Sequence, residues 1–253
     1  MINFGDDFHM KIDAGGVHYK QLNEKIREMV KKGEKRFDLV NINGQRYIGA
    51  GLVGELIIEI EGVPGNDLAC FMDGPEIIVK DNAQDGVCNT MNDGKVVIHG
   101  DAGDVLGYGM RGGRLYVKGD VGYRVGIHMK AYKEKVPTIV IGGCARDFLG
   151  EYMAGGNIIV LNLDNKADPV GNFVGTGMHG GNIFVRETVK EYQIGKEVGM
   201  GEMTKSDRTF LKSVLEDYGR YFNPEISTRE LSKENYTKLY PKTKRPYGNL
   251  YAY

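Results

Sequence analysis

The stretch Leu106–Gly122 reads LGYGMRGGRLYVKGDVG, and its pattern decides the fold. Met110 is preceded by a Gly-x-Gly and followed by a glycine pair, after which apolar residues alternate at Leu115 and Val117. Such alternation indicates a short strand with one buried face, and the glycines indicate tight corners. This stretch therefore predicts one strand between two glycine corners.

The same pattern recurs at a fixed spacing. Methionines fall at 72, 91, 110 and 129, at successive steps of 19 residues, and again at 153 and 178. The unit that begins at Met129 contains an insertion, Lys130–Val136, that delays its strand. Repetition at one period indicates a solenoid, in which turns stack about 4.8 Å apart and equivalent side chains form columns.

We therefore predict an all-β fold, a β-helix whose lumen is filled by a ladder of methionines. A left-handed hexapeptide helix is the nearest alternative, but a period of 19 is not a multiple of six. The residues assigned to the structural repeat are Met72, Met91, Met110, Met129, Met153, Met178, Gly107, Gly109, Gly112, Gly113, Gly126, Gly150, Gly155, Gly156, Gly175, Gly177, Gly180 and Gly181.

The repeat and the sequences on either side of it divide the chain into three predicted regions. Residues 1–53 form an N-terminal cap, with an amphipathic helix over 19–32 and strands over 37–52, because a solenoid end has to cover its open core. Residues 54–192 form the β-helix. Residues 193–253 form helices that begin near Thr204 and Ser227, and then a tyrosine-rich tail that docks on its own solenoid or on a partner.

Composition excludes several classes of function. The net charge is −1 and the chain has no long apolar run, so we expect neither nucleic-acid nor membrane partners. Three cysteines, Cys70, Cys88 and Cys144, show no close pairing, which is typical of buried thiols in a reducing cytoplasm. The acidic N-terminus has no signal-peptide pattern, and we expect a cytoplasmic protein.

We predict no catalytic, cofactor-binding or metal-binding residue in this chain. All four serines lie after residue 204, outside the repeat, which argues against a hydrolase triad. The cysteines lack the spacing of an iron–sulfur ligand set. A histidine metal site remains an alternative, and its candidates are His9, His18, His99, His128 and His179.

Several segments resemble the C-terminal GXGXG domain of the glutamate synthase large subunit. They are Gly107–Gly113 (GYGMRGG), Gly175–Gly181 (GTGMHGG), Gly150–Leu161 (GEYMAGGNIIVL) and Gly44–Ala50 (GQRYIGA). The resemblance covers roughly residues 15–190 and implies a right-handed β-helix of about seven coils. The chain past residue 192 departs from the fused enzymes.

The resemblance also implies a function. The chain is expected to be a stand-alone scaffold subunit of glutamate synthase in ammonia assimilation. Its partners would be a glutamine amidotransferase subunit and an FMN-binding synthase subunit, and FMN and an iron–sulfur cluster would reside in the partners. Homo-oligomers are possible. The alternatives are a component like the β-helical companion chain of formylmethanofuran dehydrogenase, or an independent β-helix metal enzyme or hydrolase.

Overall fold

The computed structural model describes residues 10–224 and 227–244. The helices are α1 Tyr19–Lys31, α2 Lys205–Phe222 and α3 Thr228–Leu231. The strands are β1 Met10–Asp13, β2 Arg36–Asn43, β3 Ile57–Val63, β4 Asp73–Val79, β5 Asp93–Ile98, β6 Arg114–Val117, β7 Thr138–Ile141, β8 Ala154–Val160, β9 Gly180–Arg186, β10 Val198–Gly201 and β11 Tyr236–Pro241.

Strands β2 to β9 stack in chain order as a parallel sheet, one strand per turn. Equivalent positions are in register, so that Leu115 pairs with Val96 on one side and with Ile139 on the other. A second wall is a column of single bridges that includes Ala83, Ala102 and Val121. The predicted all-β solenoid is confirmed.

All six repeat methionines are fully buried and lie in one column. The residue after each methionine from Met91 onward donates its N–H to the carbonyl of the methionine one turn earlier, as Arg111 does to Met91 at 2.8 Å and Lys130 to Met110 at 3.0 Å. Because the backbones stack in this way, the thioether side chains fill the lumen along its length. A further turn precedes them, and in it the buried Leu52 stands in place of methionine.

The Gly-Asp-x-Gly corners are held by a ladder of carboxylates. Asp101 Oδ1 accepts the N–H of Asp120, one turn later, at 2.8 Å, and Asp104 Oδ1 accepts the N–H of Tyr123 at the same distance. A Cβ on Gly119 would overlap the carboxylate of Asp101, so glycine is required there. The ladder satisfies corner backbone groups that the parallel sheet leaves free.

The N-terminal end of the solenoid is covered by β1 and α1. Leu22 and Ile26 of α1 are buried in the main core, and β1 pairs in parallel with β2. The helix matches the predicted range 19–32 and ends before Gly33, whose φ is +96°. The strands predicted over 37–52 are correct only as far as Asn43, because residues 47–51 form a turn with several positive φ angles.

The C-terminal region folds back onto the solenoid. α2 begins at the Thr204 cap, as the sequence predicted, and packs Leu211, Val214 and Leu215 against the outer face of the parallel sheet. β11 pairs antiparallel with β9 and with β10, which covers the last turn. The start of the predicted docking tail is therefore part of the chain's own sheet, and residues 245–253 lie outside the described residues.

Candidate interaction surfaces

The repeated six-residue segments that include the G-x-G motifs form the third side of the solenoid, which we call the motif wall. It comprises residues 47–52, 67–72, 86–91, 105–110, 124–129, 148–153 and 173–178. In each segment the first, third and fifth residues have positive φ, as Val105, Gly107 and Gly109 do at +61°, +65° and +57°. The second, third and sixth residues point into the core, and the first, fourth and fifth face outward.

The repeat glycines therefore have three different roles. The inward glycines at the third position are Gly107, Gly126, Gly150 and Gly175. The outward glycines at the fifth position are Gly109 and Gly177. The corner pairs are Gly112–Gly113, Gly155–Gly156 and Gly180–Gly181. The second member of a corner pair lies against the methionine of the previous turn, since a Cβ on Gly156 would come within 3.0 Å of Met129 Cε.

The outward face of the motif wall carries stacked aromatic rings. Phe148 stacks on Phe173 with ring centroids 4.9 Å apart, and His128 stacks on Tyr152 at 5.3 Å. Tyr108 meets the edge of His128 at 5.8 Å. The turn spacing of the solenoid sets these distances, so the aromatic columns are a direct product of the repeat.

One ion pair is built into this face. Arg124 bonds the nearly buried carboxylate of Glu151, and its guanidinium lies 4.7 Å from the centroid of the Phe148 ring. The pair neutralises a charge that would otherwise be buried beneath the aromatic surface. The wall is therefore apolar and neutral at its centre, although it contains charged residues.

The two margins of the motif wall have opposite character. The margin next to the aspartate ladder holds Asp85, Asp104 and Asp147, with Arg146 lying over the Tyr123 ring at 5.7 Å. The other margin, just after the methionines, holds the exposed Arg111 and Lys130. One edge thus carries three carboxylates, and the other carries two neighbouring cations, with Asp73 two turns before Arg111.

A second surface is a charged groove of about 490 Å³ at the corner between the motif wall and the parallel sheet. The insertion Lys130–Val136 forms one rim, and Lys135 bridges Asp73 at 3.1 Å and Asp93 at 3.0 Å. Lys95 and Arg114 line the floor beside glycines of the corner column. The groove holds charges of both signs, most of them already paired.

The floor of the groove is tied to α2 by Asp217. Its carboxylate lies 2.9 Å from Lys95 Nζ and 2.6 Å from Arg114, and it accepts the Tyr116 hydroxyl at 2.8 Å. Tyr221 extends the network, because it accepts from Lys95 at 3.0 Å and donates to Glu76 at 2.7 Å. Burial alone would raise the pKa of Asp217, but the hydrogen bonds from Lys95 and Tyr116 outweigh it and lower that pKa.

Asp217 gives the fold a pH dependence. We expect Asp217→Asn to lower the free energy of unfolding at neutral pH by about 1–2 kcal/mol, a value reduced for partial solvent screening. Because the folded pKa is depressed, this contribution is complete above the unfolded pKa of about 3.9 and disappears as pH falls through the folded value. Urea unfolding of both proteins across the acid range would measure it. An equal difference at every pH would contradict this assignment, and exposed Asp164→Asn is the control.

His9 lies outside the described residues, and the histidines and cysteines within them do not assemble into a site. His99 packs against Phe222, His128 lies in the aromatic columns, and His179 contacts the Gly177 carbonyl at 3.2 Å. Burial raises the pKa of Cys70 to about 11 and that of Cys88 well above its usual value. Over residues 10–224 and 227–244, no group of three or more His, Cys, Asp or Glu side chains is placed to hold a metal ion. In the same ranges no helix is long and apolar enough to cross a membrane.

Sequence reasoning missed the Asp217 network and the aromatic columns. A signal for the first was present: Val97, Tyr116 and Val140 occupy outward strand positions and are nonetheless apolar, which indicates a covering element. The aromatic residues occur at unequal spacings, because the later units gain five or six residues, and their stacking is visible only once the turns are superimposed.

A parallel β-solenoid with a methionine-filled lumen and a wall of G-x-G segments defines a class of repeat protein whose functional groups lie on its outer surface. The chain belongs to the GXGXG family, since the family described as "GXGXG motif" matches residues 19–244. It is 51% identical over 249 residues to an uncharacterized protein of Methanocaldococcus jannaschii, and the match covers 95% of each chain.

Proposed function

We propose that this protein is a non-catalytic scaffold subunit of glutamate synthase. In this role it holds a glutamine amidotransferase subunit and an FMN-binding synthase subunit together in the cytoplasm. Ammonia released from glutamine by the first then reaches the second without escaping. FMN and the iron–sulfur cluster belong to the synthase subunit. Membership of the GXGXG family, which is glutamate synthase-like, supports the proposal.

The observation that carries the proposal is the loop Lys130–Val136. It is one of two insertions in the repeat, the other lying between Val160 and Val170, and insertions in repeat proteins map to loops on one face, often the binding face. Tyr132 and Val136 are 54% and 47% exposed in this loop, beside a groove lined by Lys95 and Arg114. An aromatic and an aliphatic anchor next to a charged groove is typical of a protein-binding surface.

A solenoid suits this role physically. Each turn is fixed to the next by a backbone ladder and by buried side chains, so the body resists bending between the loop and either end. Two enzymes bound to such a body keep a constant separation. That constancy is what transfer of a small, diffusible intermediate requires.

Reconstitution tests the proposal. Glutaminase-like and FMN-binding synthase chains from the same organism would be combined with and without this protein, and glutamine-dependent glutamate formation measured. We expect the coupled activity to need this chain. Equal activity without it, binding only to the chains of formylmethanofuran dehydrogenase, or stoichiometric zinc or iron in the isolated chain would each contradict the proposal.

A loop variant locates the contact. We expect Tyr132→Ala with Val136→Ser to weaken partner binding by at least about tenfold, as loss of buried anchors does, while the unfolding temperature stays the same. Tyr192→Ala is a matched control, since Tyr192 is even more exposed, at 70%, but lies outside the loop and the groove. Titration by light scattering or calorimetry gives both affinities. Undiminished binding by the loop variant would remove the loop from the interface.

A further inference from the structure

The outward face of the motif wall carries exposed aromatic residues near both ends and in the middle, with a few polar side chains such as Asp67 and Asn89 between them. Phe71 near its start and Phe173 near its end are 56% and 53% exposed, and Tyr108 between them is also exposed. Seven turns span about 30 Å at the spacing of a parallel ladder. Exposed aromatic residues that recur over this length on one face indicate an interaction site rather than scattered surface residues.

The spacing of the rings selects the kind of ligand. Rings on successive turns are already 4.9 and 5.3 Å apart, so a sugar or a nucleobase has no gap to enter. In these two pairs the facing sides of the rings are occupied by one another. Edges and hydroxyls of this kind suit contact with a protein surface, where Tyr and Phe act as rigid anchors.

We propose that a second copy of this chain covers the motif wall, related by a twofold axis parallel to the solenoid axis. Such a rotation places each turn opposite the same turn of the other copy. It brings the first outward column of one copy over the last outward column of the other, and the acidic margin over the basic margin. This arrangement goes beyond the proposed function and leaves the loop Lys130–Val136 free on its groove side.

The outward columns complement one another in shape under this rotation. At two heights a large residue faces a glycine: Tyr47 faces Gly51, and Val105 faces Gly109. At another height the sizes are reversed, because Gly86 faces Thr90. Between them Phe148 faces Tyr152. The face thus carries its own knobs and recesses at matching heights, as an isologous interface requires.

At two heights the margins are complementary in charge as well. Asp104 faces Arg111 at one height, and Tyr123 faces Lys130 at the next, a carboxylate–guanidinium pair and a cation over an aromatic ring. A twofold axis across the solenoid would instead place the acidic margin on itself. In the middle outward column, Glu151 faces Glu151 of the other copy. Its charge is neutralised by Arg124, and its side chain is nearly buried.

Charge-swapped variants test the dimer without destroying the fold. Arg111→Glu with Lys130→Glu makes both margins acidic. Asp104→Asn with Tyr123→Lys makes the other margin basic, and asparagine keeps the side-chain oxygen that accepts the residue 123 N–H. Each variant alone should dimerise at least about tenfold more weakly than the native chain, because like charges then oppose one another.

An equimolar mixture of the two variants should restore dimers of mixed composition, since every facing pair is then opposite or neutral. Sedimentation equilibrium measures the affinities, and native mass spectrometry identifies the mixed species. Lys212→Glu, a reversal on exposed α2, is the control and should leave dimerisation unchanged. A native chain that stays monomeric at about 100 µM, far above the dissociation constants of stable dimers, would overturn the proposal, and so would two variants that dimerise like the native chain. Neither result bears on whether the chain supports glutamate formation.

Discussion

Replacing Met129 with alanine is expected to lower the free energy of unfolding by about 2–5 kcal/mol, the range seen when a fully buried Met, Leu or Ile becomes alanine. Met129 lies in the middle of the methionine column and is completely buried. Its Cε is in contact range of Gly156 in the next turn. The neighbouring turns are held apart by backbone hydrogen bonds, so the cavity cannot close, and a value in the upper half of that range is expected.

Two further substitutions test whether the loss of stability comes from the buried volume of the Met129 side chain. Met129→Leu nearly conserves volume and should cost less than about 1.5 kcal/mol. Met200→Ala, at a residue that is 36% exposed in β10, should change stability by about 0.5 kcal/mol or less. Urea unfolding monitored by circular dichroism measures all three. A loss at Met129 no larger than the loss at Met200 would mean that the methionine column does not support the fold.

The period of 19 residues was sufficient to predict the stacked turns, because each turn of a parallel solenoid meets the same chemical demands. Met110, its corner glycines and the pair Leu115 and Val117 repeat for that reason. The turn before the methionine column shows the same alternation at Leu56, Ile58 and Ile60, although Leu52 fills its methionine position. The end caps were predictable since an open core must be covered, and α1 carries the expected apolar face.

The period contains no information about what packs on the outside. Asp217 and Lys95 are separated by 122 residues, and no local pattern connects them. The aromatic rings stack because the inserted residues loop out at the corners of the solenoid. Tyr152 therefore lies directly above His128 although 24 residues separate them. The Asp217 network and the aromatic columns both depend on the repeat, but predicting them also requires the complete path of the chain.

The two glycines of one G-x-G segment should differ sharply in their tolerance of alanine. Gly107 and Gly109 both have positive φ, at +65° and +57°, so each substitution carries the strain of a left-handed backbone. A Cβ on Gly107 would also lie 2.6 Å from Ile139 Cδ1, whereas the nearest atom at Gly109 is Thr90 Oγ1 at 3.7 Å. We expect Gly107→Ala to cost about 2–4 kcal/mol and Gly109→Ala about 1 kcal/mol.

The same column shows how the clash can be relieved. Ala69 and Cys88 occupy the inward position in two earlier turns, and the strand residues that follow in the next turn are Val96 and Leu115 rather than isoleucine. Ile139→Val should therefore recover about 1–2 kcal/mol of the Gly107→Ala loss in a double-mutant cycle, although Ile139→Val alone is destabilising. Additive losses would show that backbone strain, and not the contact between adjacent turns, demands glycine at this position.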